Sequence, residues 1–478
     1  MDHASYASPF SWRYGSPRLR ELFSEITRRR LWRNVWVALA QAQCREGLVS
    51  AQEVADLARH VDSIDLDAAL AIEREIHHDL MAEIRVFASQ ATIGGGKLHL
   101  GATSMDIEDT VETYRLRMAL AHVGKELRSL LDAFGSRIDQ YADTVCMAFT
   151  HLQPAEPTTL GYRFAMWAQD LLIDDAALRF AFDNLTTKGL RGAVGTAASY
   201  EQLCHGKSAD FEAHVLDVFG LTSRDIATQT YPRKLDYLML SSLAGLGASL
   251  SKFAADIRIL SSPPFGELAE PFGKSQVGSS AMPFKRNPIL CERIDSLARL
   301  LVGYADVAWQ NAATNYLERT LDDSANRRTI LPEALLCADE LITLARKVVD
   351  GMRIDERRIA HNLSTYGPFS GTESVMMEAV RAGGNRQDLH EKLRDIAMEA
   401  YAALSKGQEN PLAQLLVDDA MIAGYLDPAD IRHLLDPSGH IGTAPLRARA
   451  LAKRIAQTPE FPEQKHVSLA HVPSTPRT

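Results

Sequence analysis

Long apolar stripes at helical spacing constrain this 478-residue chain more than any other feature. One stripe runs Leu116, Leu120, Val123, Leu127, Leu130, Phe134, Ile138, Tyr141. The steps alternate between three and four almost throughout, so these side chains share one face of a long helix. The rhythm returns at Leu160, Phe164, Trp167, Leu171, Leu178 and Leu185, and again at Met239, Leu243, Leu246, Leu250, Phe253, Ile257 and Leu260. Two further helical segments, 288–315 and 329–352, carry less regular stripes. Five long helices predict an all-α fold built on an antiparallel bundle, with crossings of about +20°. Helices this long carry more apolar surface than a single bundle covers, and self-association is the simplest way to bury it.

Around that bundle the chain divides into three helical domains. Residues 1–103 form an N-terminal unit, which begins with an extended arm over residues 1–20 and turns helical from about Ser16. Residues 104–354 form the central bundle. Residues 355–478 form a C-terminal unit of shorter helices, with Gly383-Gly384 and Asp436-Pro437-Ser438-Gly439 as turns. Pro459, Pro462, Pro473 and Pro476 among polar residues predict a loose tail from about residue 455. Strand signals are sparse.

Composition narrows the partners. A net charge of −9 argues against a nucleic-acid or membrane surface as the main partner, since both attract net-basic patches. A local basic pocket remains compatible with it. Cys44, Cys146, Cys204, Cys291 and Cys337 lie far apart with no C-x-x-C pair, which fits reduced, mostly buried thiols. The start, Met1-Asp2-His3-Ala4-Ser5, has no targeting pattern, and no uninterrupted apolar run reaches about eighteen residues. The expectation is a cytoplasmic protein. No histidine spacing resembles H-E-x-x-H, so no catalytic metal is expected.

Polar clusters interrupt the helical pattern. They are His77-His78-Asp79, the glycine-rich Ala91–Ser104 stretch, Thr150-His151-Leu152-Gln153-Pro154, Gln229-Thr230-Tyr231, and Glu318–Arg328. The glycine-rich stretch lacks the G-x-x-x-x-G-K-[ST] pattern, yet it offers backbone N–H groups, Thr103 and Ser104 to an anion where the next helix begins. Each cluster has an ordinary explanation. His151 serves equally as a capping or core histidine, and Glu318–Arg328 as a salt-bridged solvent face. Arg13-Tyr14 fits an exposed pair packed on the body.

The richest run is Gly278-Ser279-Ser280-Ala281-Met282-Pro283-Phe284-Lys285-Arg286-Asn287-Pro288, followed by Glu292 and Arg293. Gly278, Pro283 and Pro288 break regular structure, so it reads as a mobile polar loop between two helices. Two hydroxyls, two cations and an amide make a set suited to an anion. A solvated Ser/Gly/Pro linker is the plain alternative.

Taken together, the clusters are less ordinary. The Ser279 run resembles the signature of the fumarase/aspartase superfamily. His78-Asp79-Leu-Met-Ala82, His99-Leu-Gly-Ala-Thr103-Ser104, Thr150-His151, Gln229-Thr-Tyr231 and Arg319–Arg328 extend the resemblance in order, over nearly the whole chain, to the adenylosuccinate lyase family. The sequence departs from that pattern at Phe284, Thr228 and Gly371-Thr372-Glu373-Ser374, none of which is a proposed catalytic group.

The resemblance implies non-hydrolytic C–N cleavage that releases fumarate, from adenylosuccinate to give AMP and from the succinyl-carboxamide ribotide to give its free amide, without a cofactor. An argininosuccinate lyase is the nearest alternative, and a non-catalytic helical scaffold a more distant one. By carry-over, Ser279 is the base, although the sequence alone does not choose between Ser279 and Ser280. Lys285 stabilises its oxyanion, His151 is the acid, Glu292 orients His151, and His78 helps to place the substrate and assists proton handling. Arg13, Tyr14, Arg319, Ser324 and Arg328 are implied to hold the phosphate. Lys285, Asn287, Thr103, Ser104, Thr150 and Gln229 face the succinyl part, with Asp79 and Arg293 nearby. The resemblance also implies a homotetramer whose central helices form one large bundle, with composite sites for small nucleotide substrates.

Overall fold

The computed structural model describes residues 4–467, which contain nineteen α-helices and two short two-stranded sheets. The N-terminal part holds α1 (Pro17–Leu22), α2 (Glu25–Arg45), α3 (Ala51–Arg59), α4 (Leu66–Ile76) and α5 (Asp79–Gln90). Next come α6 (Ser104–Gln140), β1 (Val145–Thr150), β2 (Gln153–Thr159), α7 (Leu160–Asn184), α8 (Ala198–Leu203) and α9 (Ser208–Phe219). They are followed by α10 (Lys234–Leu260), β3 (Leu268–Ala269), α11 (Ile289–Ala313), α12 (Ser324–Gly351) and β4 (Arg353–Ile354). The rest is α13 (Glu356–Tyr366), α14 (Thr372–Arg381), α15 (Arg386–Ser405), α16 (Leu412–Asp418), α17 (Ala420–Ala423), α18 (Pro428–Leu434) and α19 (Ala444–Gln457).

The five long helices α6, α7, α10, α11 and α12 fall on the five apolar segments, because each stripe needs a neighbour to cover it. Leu116, Leu120, Val123, Leu127, Leu130, Phe134 and Ile138 are fully buried in one core that all five helices share. Ring edges lock that core, with Phe134 meeting Phe164 and Phe253 and Trp167 meeting Phe253. Cross-links fix the directions. Ser242 bonds the Ala177 carbonyl and Trp167 bonds Asp256, so α7 and α10 are antiparallel. Arg258 reaches Asp295 near the start of α11, while Asn311 and Asn326 pair across the α11–α12 turn. Helices α6, α10 and α12 therefore start at one end of the bundle, here the proximal end, and finish at the distal end. The 37 residues of α6 separate the two ends by about 55 Å. By length and composition α10 could cross a membrane, but it lies in the middle of the bundle against α7, α11 and α12.

A second core packs beside the proximal end. It joins Trp32, Val35 and Trp36 of α2 to Phe87 of α5, Phe211 and Phe219 of α9, and Ile107 and Val111 at the start of α6. Arg29 and Arg33 are wholly buried within this region, held by Glu83 at 3.1 and 2.7 Å. A third core, around Leu389, Leu412 and Ile431, lies within the C-terminal helices. The N-terminal arm docks on α12, where Ser8 donates to Glu333 and the backbone N–H groups of Gly15 and Ser16 donate to Glu340 and Asp339. Gly15 has φ +75°, and an added Cβ would lie 2.6 Å from Leu336, so this docking requires glycine.

One local expectation needs correction. The tail is not loose where it is described. After α19 it crosses the bundle, with Phe461 buried against Gly124 and Phe182. Arg128 donates to the carbonyls of Ile455 and Thr458, Arg117 to Gln464, and Val467 N–H to Tyr114. Proline and polar composition hid the tail because its anchors are one aromatic ring and backbone carbonyls met by arginines of α6. Pro473 and Pro476 lie outside the described residues. The β1–β2 hairpin has little sequence signal, because its second strand carries Pro154 and Pro157 and is unlike a sheet-forming sequence. It survives as an isolated pair with a register shift between Met147 and Phe149.

Candidate active site

A cavity of about 530 Å³ opens at the proximal end, between α2, α5, α6 and α12. Of the residues singled out in the sequence, His78, Asp79, Thr103, Ser104, Gln229, Arg319, Ser324 and Arg328 line it. They come from four separated segments, and local structure explains how each is aimed.

Helix α4 ends at His77, which takes the left-handed conformation at φ 56° and turns the chain back. His78 then caps α5, its Nδ1 accepting the Met81 N–H at 3.4 Å. That bond occupies Nδ1 as an acceptor, so the neutral ring carries its proton on Nε2, which faces the Ser104 hydroxyl at 3.5 Å. Asp79 follows as the first residue of α5, and its Oδ2 accepts from Arg328 of α12 at 2.8 Å. Burial pushes the Asp79 carboxyl up, but the Arg328 bond and the charges of Arg328 and Arg28 outweigh it and hold it below the ordinary range.

The glycine-rich stretch delivers Thr103 and Ser104 to the start of α6 through a capping box, in which Thr103 N–H donates to Asp106 at 2.9 Å. Asp106 is wholly buried and is held by Lys188 at 2.7 Å and by the Gly192 N–H. Helix α12 also begins at the cavity, with Ser324 as its first residue. Two long helices thus present N-terminal N–H groups to one space, a setting that favours an anion. Behind it, Arg233 bridges Asp109 at 3.1 Å and Asp323 at 2.6 Å, while Arg327 bonds Asp236 and the Tyr231 hydroxyl. Arg319 reaches Asp323 at 2.8 Å. This buried lattice fixes the arginines before any ligand arrives. Gln229 is tied to the same wall through Glu318 and Ala193.

The remaining residues lie elsewhere in the chain. Thr150 ends β1, and His151 and Leu152 form the two-residue hairpin tip, exposed and with φ of 53° and 60°. Hairpin turns of this kind favour Asn and Gly, so His151 is held on a strained backbone. Ser279 belongs to the distal connection from α10 to α11. Its hydroxyl accepts from the N–H groups of Ala281 and Met282 at 3.3 and 3.1 Å. Asn287 donates to the Gly278 carbonyl at 2.8 Å and closes the loop. A Cβ at Gly278 would lie 2.2 Å from the Lys285 carbonyl, which explains the glycine. Lys285 and Glu292 are exposed, Arg293 is half-buried, and among the described residues no hydrogen bond joins Glu292 to His151. Arg13 and Tyr14 sit on the docked arm, where Phe10 meets Tyr14 edge-on, and do not line the cavity.

The structure thus gathers eight of the seventeen residues in one cavity and leaves the Ser279 and His151 groups at the far end of the bundle. Sequence reasoning missed Arg28, Glu108, Glu112 and Arg115, which also line the cavity. Helical spacing pointed to some of them, because Glu108 lies one turn after Ser104 on the same face of α6. Among the described residues no cluster of three His, Cys, Asp or Glu side chains suits a metal ion.

Comparison with known proteins points to one family. Residues 13–303 match a lyase family model, and residues 368–451 match the model for the adenylosuccinate lyase C-terminus. An adenylosuccinate lyase of Saccharomyces cerevisiae is 35% identical, with 98% of each chain covered. One from Schistosoma mansoni is 37% identical over 92% of each. Among solved structures, a 3-carboxy-cis,cis-muconate lactonizing enzyme from Pseudomonas putida superposes with a TM-score of 0.82 at 25% identity. The match covers 94% of this chain and 99% of that one. A fumarate lyase from Mesorhizobium superposes with a TM-score of 0.81 at 24% identity over the same shares.

Proposed function

The chain belongs to the adenylosuccinate lyase family of the fumarase/aspartase superfamily, and from that premise we propose how its residues perform the elimination. The reaction splits adenylosuccinate into AMP and fumarate, and the succinyl-carboxamide ribotide into its free amide and fumarate. The relatives compared above are adenylosuccinate lyases, so an argininosuccinate lyase is not favoured.

Three physical demands follow. A weakly acidic proton must leave the carbon next to a carboxylate. The resulting dianionic aci-carboxylate needs donors aimed at its oxygens beforehand. The departing nitrogen needs a positioned acid. Ser279 takes the carbon-bound proton once Lys285 and nearby N–H groups stabilise its oxyanion and water is excluded. His151 protonates the leaving nitrogen, with Glu292 orienting the imidazole and keeping it charged. The proximal cavity receives the substrate. Arg319, Ser324 and Arg328, together with Arg13 and Tyr14, hold the phosphate. Thr103, Ser104, Thr150, Gln229 and Asn287 hold the succinyl part, His78 places the substrate and assists the proton transfers, and Asp79 and Arg293 complete the surroundings.

One observation carries the composite reading. His78 and the anion cavity lie at the start of α6, whereas His151 and Ser279 lie beyond its end, about 55 Å away. No loop movement closes that distance, so the groups meet only if different protomers supply them. A homotetramer with antiparallel neighbouring bundles does this. The surface favours it, since Tyr162, Met166, Ile173 and Phe180 of α7, and Val302 and Trp309 of α11, stand exposed at helical spacing. The expected setting is the cytoplasm.

The test is fumarate release from adenylosuccinate by wild type, Ser279→Ala and His151→Ala. Both variants should lose most turnover while still binding substrate. Full activity in Ser279→Ala would move the base elsewhere, with Ser280 next.

A further inference from the structure

One wall residue of the cavity has no role in that scheme. Glu108 projects from α6 one turn beyond Ser104, half-buried, and among the described residues its carboxyl makes no hydrogen bond or ion pair. Every other acidic group close to it is engaged. Asp79 is bonded to Arg328, and Asp109 to Arg233 and the Tyr231 N–H. The cations are engaged as well, for Arg28 lies 2.7 Å from Glu25.

The charges around Glu108 come from each neighbouring element. Helix α2 contributes Glu25 and Arg28, the α4–α5 turn His77, His78 and Asp79, and α12 Arg327 and Arg328. Helix α6 itself adds Asp109, Glu112 and Arg115, and Arg319 approaches from the loop before α12. Burial, with the charges of Asp79 and Asp109, pushes the Glu108 carboxyl up to about 7, against the opposing pull of Arg28 and Arg328. A free carboxylate in a space built for an anion is a contradiction unless it loses its charge. Protonation costs Glu108 no existing bond, which is not true of Asp79 or Asp109.

We propose that Glu108 receives the anionic substrate as a neutral carboxylic acid, so that binding to the ionised form draws one proton from solvent into the cavity. The protonated carboxyl is a donor, and the incoming phosphate supplies acceptor oxygens. This assignment rests on the reading of the proximal cavity as the phosphate site. It makes Glu108 a residue that sets the pH range of binding, with its effect on KM and not on the proton transfers at Ser279 and His151.

The experiment measures KM and kcat for adenylosuccinate from pH 6.5 to 8.5 in wild type and Glu108→Gln, whose amide donates at every pH. The wild-type KM should rise by up to about tenfold per unit above pH 7. Glu108→Gln should flatten that rise and bind more tightly than wild type at pH 8.5, a gain that a misfolded variant cannot mimic. Calorimetry with AMP in two buffers of different ionisation enthalpy should show proton uptake by wild type at pH 8 and correspondingly less by the variant. Parallel KM profiles with equal proton uptake would overturn the role of Glu108 while leaving the lyase reading intact. A wild type that releases no fumarate at any pH would overturn the lyase reading, and this proposal with it.

Discussion

Arg328 of α12 and Asp79 at the start of α5 meet at 2.8 Å across the mouth of the proximal cavity. The pair has two consequences for an anion. Arg328 is held in place before the ligand arrives, and Asp79 stays ionised beside the site because the arginine compensates it. Removing the arginine therefore removes an attractive charge and exposes a repulsive one.

Arg328→Ala should raise KM for adenylosuccinate by roughly 10- to 100-fold, the range for a lost charged hydrogen bond of about 1.5–3 kcal/mol. Adding Asp79→Asn in the same chain should recover part of that loss, because the uncompensated carboxylate is gone. A double-mutant cycle on KM measures the coupling. Additive effects would mean that the two residues do not act on the ligand together.

The docked tail gives a stability prediction. Phe461 lies over Gly124, where a Cβ would approach the ring to 2.2 Å, so the ring fills the space that the glycine leaves. Phe461→Ala should destabilise the fold by about 3–5 kcal/mol, as expected for an emptied aromatic site. Gly124→Ala should also destabilise it, by overpacking. Thermal unfolding of both variants checks this, and an unchanged midpoint in Phe461→Ala would mean that the tail does not hold the bundle.

The arm on α12 predicts a pH dependence. Asp339 is buried, a condition that raises its pKa, yet bonds from His122 at 2.9 Å and the Ser16 N–H at 2.6 Å hold it below the ordinary carboxylate range. With its pKa depressed, the native state binds fewer protons here than the unfolded chain. The stabilisation is present above the unfolded value of about 3.9 and is lost as pH falls through the lower native value. Asp339→Asn should lower the melting temperature by a few degrees at pH 7. The difference from wild type should shrink below about pH 4.

Much of the architecture was legible because it obeys one period. The stripes at 116–141, 160–185 and 239–260 became α6, α7 and α10, and 288–315 and 329–352 became α11 and α12, with α12 starting one turn early. Proximal-site residues such as His78, Ser104 and Arg328 were legible because they sit at helix starts, where caps and charge leave a local signature. What stayed hidden depends on contacts far apart in sequence. Arg115 points into the cavity because its Nε bonds the Leu22 carbonyl, 93 residues away. Gln464 is buried only because Arg117 and the Phe219 carbonyl receive it. The distance between His78 and Ser279 was also invisible until the direction of each helix was known.

That distance makes the last prediction decisive for the assembly. A protomer carrying Ser279→Ala still offers its proximal cavity, and one carrying His78→Ala still offers its distal loop. If a working site draws these groups from different protomers, unfolding and refolding the two inactive variants together should restore activity that neither has alone. Random assortment gives both intact groups to about a quarter of the sites, so activity should approach about 25% of wild type. If instead one protomer supplied both groups, every site in the mixture would lack one of them, and the mixture would stay as inactive as its components. Fumarate release before and after co-refolding, at equal total protein, distinguishes the two outcomes.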